Sequence, residues 1–483
     1  MTVRYKKNDE IFTNITVVHY LLDEVGFVSE KDLSLLTLLE PASGEGSFVL
    51  EIVARLYHSS QKFEFDCIKA LNKNIRFVEL NRENIEKLRS NVENFIQNLG
   101  YSPQLLEDKI FICSNYLILN SLQKFDCIVG NPPYIRHELI DSYLKSFYRE
   151  KFSTFKYRAD LYIPFYEHSL ALLTDRGKLS FVCSNRWLYN QYGEPLRKKI
   201  SKEYHLQKLL NLEKAQLFDN QVIAYPAITT IVKREGVDTL YHESNDKKID
   251  FKNIIFSKKE TPSSGEWQNL FVDYDLKDSS LKSIEDLGFK IGIGVATGAD
   301  KIFIIKKSQN IEIESSRLLP LLKSNALKGN EIEWDGSYII NPYEEDVLCD
   351  LEQYPKLKAY FEEHKEQLKQ RHTAKKNPLK WYKTIDRIKS DLQSKPKLLL
   401  PDLVTSQKLH IDKGEFYPHH NLYYITHDNI EKLEKLASVL MSDFVQEQLY
   451  KIGIKMNGGV PRFQAQTLKK LRILNISELL KEN

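Results

Sequence analysis

Leu38-Leu39-Glu40-Pro41-Ala42-Ser43-Gly44-Glu45-Gly46-Ser47-Phe48 joins a short apolar run to a segment, residues 48–56, whose apolar side chains recur at helical spacing. Glycines at 44 and 46 let the chain turn tightly and let a ligand come close to the backbone. A lone Gly-x-Gly would serve equally in a bare tight turn. The strand–loop–helix setting favours a binding loop. No third glycine stands at the dinucleotide spacing, which disfavours a nicotinamide cofactor.

The pattern around this loop repeats it. Residues 33–39, 75–80, 109–113, 126–129 and 177–183 read as strands, while 82–99 and 160–173 read as helices. Such alternation predicts an α/β fold, a mostly parallel sheet with helices on both faces, whose ligands sit at the carboxyl ends of the strands. A polar stretch over residues 241–268 interrupts the pattern and reads as the passage into a second domain. The expected domains are therefore 1–245 and 265–483. In the second, residues 288–305 read as strand–turn–strand, 354–371 as a charged helix, 398–400 and 422–425 as strands, and 430–450 as one long helix. That half is a mixed α+β region.

Composition sets the limits. The chain has 483 residues, 42% of them hydrophobic and 28% charged, enough for several domains and a real core. No apolar run reaches the ~18–20 residues that span a bilayer, and residues 1–10 are polar, so a cytoplasmic protein without a secretory leader or membrane partner is expected. Five cysteines in no CxxC or Cys/His ligand spacing argue against disulfides and structural zinc. The net charge is only +3, but it is banded: residues 351–400 carry thirteen basic and six acidic side chains, and 451–483 seven and two. A nearly neutral protein can in this way carry a local positive face; a solvated lysine-rich helix would look the same.

Two further loops carry chemistry. Glu79 ends the strand at 75–80, where a carboxylate can accept hydrogen bonds from the two hydroxyls of a ribose. Gly130-Asn131-Pro132-Pro133-Tyr134 ends the strand at 126–129 and is the sharpest signal in the chain. Its two prolines remove backbone donors and leave carbonyl acceptors. The asparagine adds another acceptor and the tyrosine a flat aromatic face. Acceptors beside a π-surface suit a planar amine, such as the exocyclic NH₂ of a base.

With these motifs in this order, the sequence resembles the amino-group DNA methyltransferases that use S-adenosylmethionine, specifically the γ class of N6-adenine enzymes of the TaqI type. The resemblance implies a Rossmann-like cofactor domain followed by a mixed α+β domain that recognises the DNA target. It implies that Thr13, Glu40, Pro41, Ala42, Gly44, Gly46, Phe48, Glu79, Asn115, Tyr116 and Pro133 surround the cofactor. Phe12-Thr13-Asn14 departs from the usual motif by having Asn14 in place of proline. Asn115 stands where the family usually has an aspartate. Asn131, Pro132, Pro133 and Tyr134 match the catalytic motif fully, and Phe218, with Tyr225 as a rival, would pack against the target base. The later stretches Gly292–Lys301, Arg317–Pro320 and Lys328–Ile332 resemble the start of the recognition domain more loosely.

The implied reaction is direct methyl transfer to the N6 amine of a flipped-out adenine, with neither a metal nor a dedicated base required. Double-stranded DNA is the implied partner, with Lys375, Lys376, Trp381, Arg387, Lys455 and Arg462 as candidate contacts in the two basic bands. Some forty residues precede Glu40, too few for a nuclease domain, so a restriction partner would be a separately encoded endonuclease. Methyltransferases of RNA or of a protein glutamine amide share the Asn-Pro-Pro-Tyr chemistry, but resemble this chain only in the first half. A DNA-binding protein with a degenerate methyltransferase domain is the non-enzyme alternative; the intact Asn131–Tyr134 motif speaks against it.

Overall fold

The computed structural model describes residues 13–474, apart from 121, 214, 219–224, 245, 262–263, 266, 272–279, 310, 329–330, 403–408 and 454–461. The chain divides into two compact units, Met1–Asp273 and Tyr274–Asn483.

The first unit is built on a nine-stranded sheet. Its strands are β1 (Leu38–Glu40), β2 (Ile75–Glu79), β3 (Phe111–Cys113), β4 (Phe125–Gly130), β5 (Leu173–Ser184), β6 (His205–Asn211), β7 (Pro226–Val232), β8 (Asp238–Glu243) and β9 (Ser257–Glu260). The order across the sheet is β3-β2-β1-β4-β5-β7-β6-β8-β9. The first five positions are parallel, and β7 runs antiparallel to both β5 and β6. The chain lays β2 and β3 on one side of β1, then returns to place β4 on the other. The strand order therefore reverses between β1 and β4, which is where open α/β sheets bind ligands.

Both faces of this sheet are covered, and the sequence alternates to match. Leu38, Phe77, Cys127 and Val129 enter one apolar cluster; Leu39, Val78, Ile128 and Phe181 enter the other. Helices α1 (Ile15–Val25), α2 (Val49–Phe63), α3 (Cys67–Asn74) and α4 (Arg82–Asn98) supply the first cluster, and α5 (Ser142–Lys151) and α6 (Tyr162–Ala171) the second. In α4 the buried residues Ile85, Leu88, Val92 and Ile96 recur every three or four positions, and Asn81 caps the start by accepting from the Glu83 amide. Helix α1, absent from the sequence reading, starts at Asn14, whose side chain accepts from the Thr16 amide at 3.0 Å, and stops at Gly26 in the left-handed region. Asn14, in the place of the family's proline, thus serves as a helix cap.

Several expected elements differ in extent. The strand read over 33–39 is shortened to β1, because Asp32 draws the preceding residues into a turn by accepting from the Ser34 amide. The polar stretch over 241–268 contains β9, which pairs with β8, and Trp267, which packs on Trp187. It therefore adds to the first unit's sheet and core.

Among the described residues, the second unit holds two four-stranded sheets and several two-stranded ones. The expected strand–turn–strand over 288–305 is not a hairpin: Lys290–Ile293 pairs with Leu422–Thr426, whereas Ile304–Lys306 pairs with Ser337–Ile340 in another sheet. A helical turn, Asp300–Phe303, separates them. The charged helix splits at His364 into Pro355–Glu363 and Lys365–Lys369. The long helix splits into Ile430–Leu440 and Asp443–Ile452, because the Ser442 hydroxyl bonds back to the Val439 carbonyl and competes with the helical ladder. Among the described residues, no helix is long and apolar enough to cross a membrane.

Candidate functional site

The glycine loop leaves the carboxyl end of β1 and bends back over β2. Gly44 (φ 53°) and Gly46 (φ 98°) both occupy the left-handed region, which a side chain would strain. The Ser43 amide donates to the Val78 carbonyl, and the Gly44 amide donates to Glu79 Oε2 at 2.8 Å. The Asn81 amide donates to Glu79 Oε1 at 2.7 Å. The loop and the strand-end carboxylate are thus one unit. Nothing lies within 4 Å of where a Gly44 side chain would project, so the loop faces open space there.

Glu40, by contrast, is 1% exposed, and its Oε2 has no hydrogen-bond partner. Burial, opposed by a bond from Ser43 and aided by the nearby Glu79 charge, pushes its pKa up to about 8. Pro41 lies beside Gly130: a side chain at Gly130 would meet the proline ring at 3.5 Å. The ends of β1 and β4 therefore touch through their loops.

On β4, Asn131 Nδ2 donates to Thr13 Oγ1 at 3.2 Å. Thr13 pairs in a β-bridge with Phe218, and the Asn14 amide donates to the Leu217 carbonyl. Tyr134 is half-buried, its ring edge-on to Phe218 at 6.1 Å and to Tyr162 at 6.4 Å. Its hydroxyl lies 3.5 Å from the Val182 carbonyl, and burial raises its pKa, keeping the phenol neutral. Pro132 is buried and Pro133 partly so. The turn that follows is clamped from the residues leading into α6: the Leu161 amide donates to the Ile135 carbonyl, and Asp160 Oδ1 accepts from the His137 amide at 3.1 Å. Tyr192 donates to the other oxygen of Asp160. That clamp is invisible in the loop's own sequence.

The remaining candidates fall in different places. Asn115 caps a short turn, accepting from the Leu117 amide and donating to the Tyr148 hydroxyl at 2.9 Å. Tyr116 is 2% exposed, with its hydroxyl on Ser169, and Phe48 is 1% exposed in the core under α2. Tyr225 sits at φ 44°, its ring under the Arg186 guanidinium, and its carbonyl accepts from the Asn185 amide. Ala42 packs at the edge of the second apolar cluster. The structure thus brings Thr13, Asn131, Tyr134 and Phe218 together, and joins Gly44 to Glu79.

In the second unit the basic band sorts into two kinds. Lys375 and Lys376 are exposed. Trp381 is 8% exposed and packs on Phe361 and Tyr382. Arg371, in the same band, donates to the carbonyls of Leu368, Thr297 and Trp381 and covers the Phe303 ring. Arg387 lies 3.8 Å from Asp346, and Arg462 grips both oxygens of Asp402. Lys455 lies outside the described residues.

The Eco57I restriction-modification methylase family matches residues 15–218. The chain is 37% identical to the type II methyltransferase M.XhoI of Xanthomonas vasicola over 96% of this chain and 90% of that one. It is 35% identical to the type II methyltransferase M.BstVI of Geobacillus stearothermophilus, over 97% and 90%. Among solved structures, the type IIL restriction-modification enzyme MmeI in complex with DNA shares the fold at a TM-score of 0.58 and 12% identity, covering 94% of this chain and 65% of that enzyme.

Proposed function

The chain belongs to the type II restriction-modification methyltransferases, which methylate DNA, and from that premise we propose that it methylates the N6 amine of an adenine rotated out of double-stranded DNA. The observation that carries the proposal is the meeting of Thr13, Asn131, Tyr134 and Phe218 where the strand order reverses. An amine acceptor and an aromatic platform converge there, beside the glycine loop.

S-adenosylmethionine, which membership in the family implies, supplies an electrophilic methyl group when bound. The residues present fit it: the backbone of Glu40 to Gly46 provides a turn open to a ligand, and Glu79 a carboxylate at the ribose position. On the chain's side, Thr13 accepts from the Asn131 amide nitrogen and so turns the amide oxygen, not the nitrogen, toward an incoming amine. The Pro132 carbonyl is a second acceptor, fixed by the two prolines. Two acceptors on one NH₂ group draw the nitrogen lone pair out of conjugation with the ring. Tyr134 would stack on one face of the base and Phe218 pack against another side, offsetting the few kcal/mol of unstacking. The clamp on Ile135 and His137 holds the loop before the base arrives, so catalysis is preorganisation.

The test is methyl incorporation into DNA by the wild type and by Asn131→Ala, with the modified base identified by mass spectrometry. Loss of about 10²–10³-fold in kcat is expected, the scale of one preorganised hydrogen-bonding group, with cofactor affinity retained and N6-methyladenine as the product. Product at a cytosine, or full activity of Asn131→Ala, would overturn the reading.

A further inference from the structure

Methyl transfer makes no use of a three-residue constellation in the second unit. Asp300, His419 and His420 offer ligand atoms that all lie within 4.8 Å of one another. Their backbone is held rigidly. The His419 amide donates to the Leu322 carbonyl and the His420 amide to the Val295 carbonyl, while the Leu422 amide donates to the His419 carbonyl at 2.8 Å. A side chain at Gly294 would sit 2.1 Å from that carbonyl oxygen, so glycine alone permits the approach. Asp300 is fixed from its other oxygen by the Thr297 hydroxyl.

The hydrogen bonding of His419 is the informative part. Its Nδ1 lies 3.1 Å from Asn421 Oδ1, and that oxygen is identified by the Ser324 amide, which donates to it at 3.2 Å. The Asn421 amide nitrogen donates in turn to the Ser324 hydroxyl. An oxygen can only accept, so Nδ1 carries the proton. In a neutral ring Nε2 then presents a lone pair, and it faces Asp300 Oδ2 at 3.2 Å. A cation seated there would take that lone pair and the carboxylate oxygen together. His419 is 6% exposed, and its ring lies 4.0 Å from that of His420, so the three groups face one another. A metal ion satisfies all three groups. The Nδ1–H bond to a fixed oxygen is also the outer-shell contact that metal-binding histidines make.

We propose that Asp300, His419 and His420 bind a divalent transition-metal ion of the zinc class. Two imidazoles and one carboxylate select such an ion over magnesium or calcium. Three protein ligands leave coordination positions open toward the adjoining cavity of about 570 Å³, lined by Thr297, Lys301, Gln367 and Arg371 among others. The ion ties the turn at Asp300 to the strand connection at His419, and all three ligands belong to the second unit.

The full chain, stripped with a chelator, is titrated with Co²⁺ and then Zn²⁺, and the metal retained after gel filtration is measured. One equivalent of Co²⁺ with visible absorption bands, displaced by Zn²⁺ but not by millimolar Mg²⁺, is the expected result. Asp300→Ala and His420→Ala should each weaken Co²⁺ binding by about tenfold or more; His420 and Asp300 are exposed, so both variants should keep the wild-type circular dichroism. Failure of the wild type to retain Co²⁺, displacement by Mg²⁺, or unchanged affinity in both variants would each overturn the proposal; the wild-type result decides the first two without any variant.

Discussion

The Asn131–Tyr134 loop and the basic segment at 365–387 both drew attention in the sequence, and they are built in opposite ways. In the loop nearly every group is tied down by a distant part of the first unit: Thr13 to Asn131, Phe218 and Tyr162 against Tyr134, Asp160 to the turn beyond. In the basic segment, charge of one sign covers two physical roles. Arg371 is bound to three carbonyls and serves the fold, whereas Lys375 and Lys376 stand in water. A motif made of rigid residues can be read from its spelling. A run of positive charge cannot, because a guanidinium on backbone oxygens and an ammonium in solvent count the same in a composition.

The contrast is most exposed at Arg371. Replacing it by alanine takes the guanidinium from the carbonyls of Leu368, Thr297 and Trp381, the first two of which keep a backbone amide donor, and uncovers Phe303. Charged hydrogen bonds contribute roughly 1.5–3 kcal/mol each before non-additivity, so a net loss of about 3 kcal/mol is expected. Urea unfolding of the full chain measures it. A loss below about 0.5 kcal/mol, the size of an ordinary surface change, would put Arg371 back among the solvated charges and erase the distinction.

Glu40 tests the first unit in the same terms, through pH. Its pKa is raised to about 8 in the fold, so between the ordinary carboxylate value of 4.5 and about 8 the folded protein holds a proton that the unfolded chain has released. Its contribution to stability is therefore intact below about pH 4.5, falls as pH rises, and reaches its lowest level above about pH 8. Glu40→Gln has no proton to lose. Without cofactor, the variant's melting temperature should gain on the wild type from pH 5 to pH 8 and hold a constant lead above it. A gap that does not change with pH would mean that Glu40 is solvated after all.

How much could be read in advance follows the same division. The parallel sheet was legible because β1, β2 and β4 are short apolar runs ending in a glycine or an acid, and the strand–helix alternation is local. That the glycine loop and Glu79 share the carboxyl edge of the sheet was legible, because the loop follows β1 and Glu79 ends β2. The pairing of Thr13 with Phe218 was not, since it closes a bridge between the two ends of the first sheet's sequence. Nor was Asp300 beside His419, 119 residues later, where no spacing rule applies. The two helices that proved to be four show a subtler limit. Apolar periodicity runs through residues 430–450 unbroken, and a single serine hydroxyl bonded to Val439 ends the first half.

The smallest expected effect concerns the lysines themselves, and it discriminates most finely between the two kinds of basic residue. Each phosphate contact contributes about 0.9 to the slope of log affinity against log salt on duplex DNA. The double variant Lys375→Ala, Lys376→Ala should thus lower that slope by about 2 if both ammonium groups meet phosphates. Arg462→Ala should leave it unchanged, because its guanidinium is already paired with both oxygens of Asp402 and releases no counterion on binding. Fluorescence anisotropy on one duplex across a salt series compares the three proteins directly. Equal slopes for wild type and the lysine variant would make that band a solvated face. A lowered slope for Arg462→Ala would show that DNA takes the arginine from Asp402, so that a residue paired in the free protein belongs with the exposed lysines.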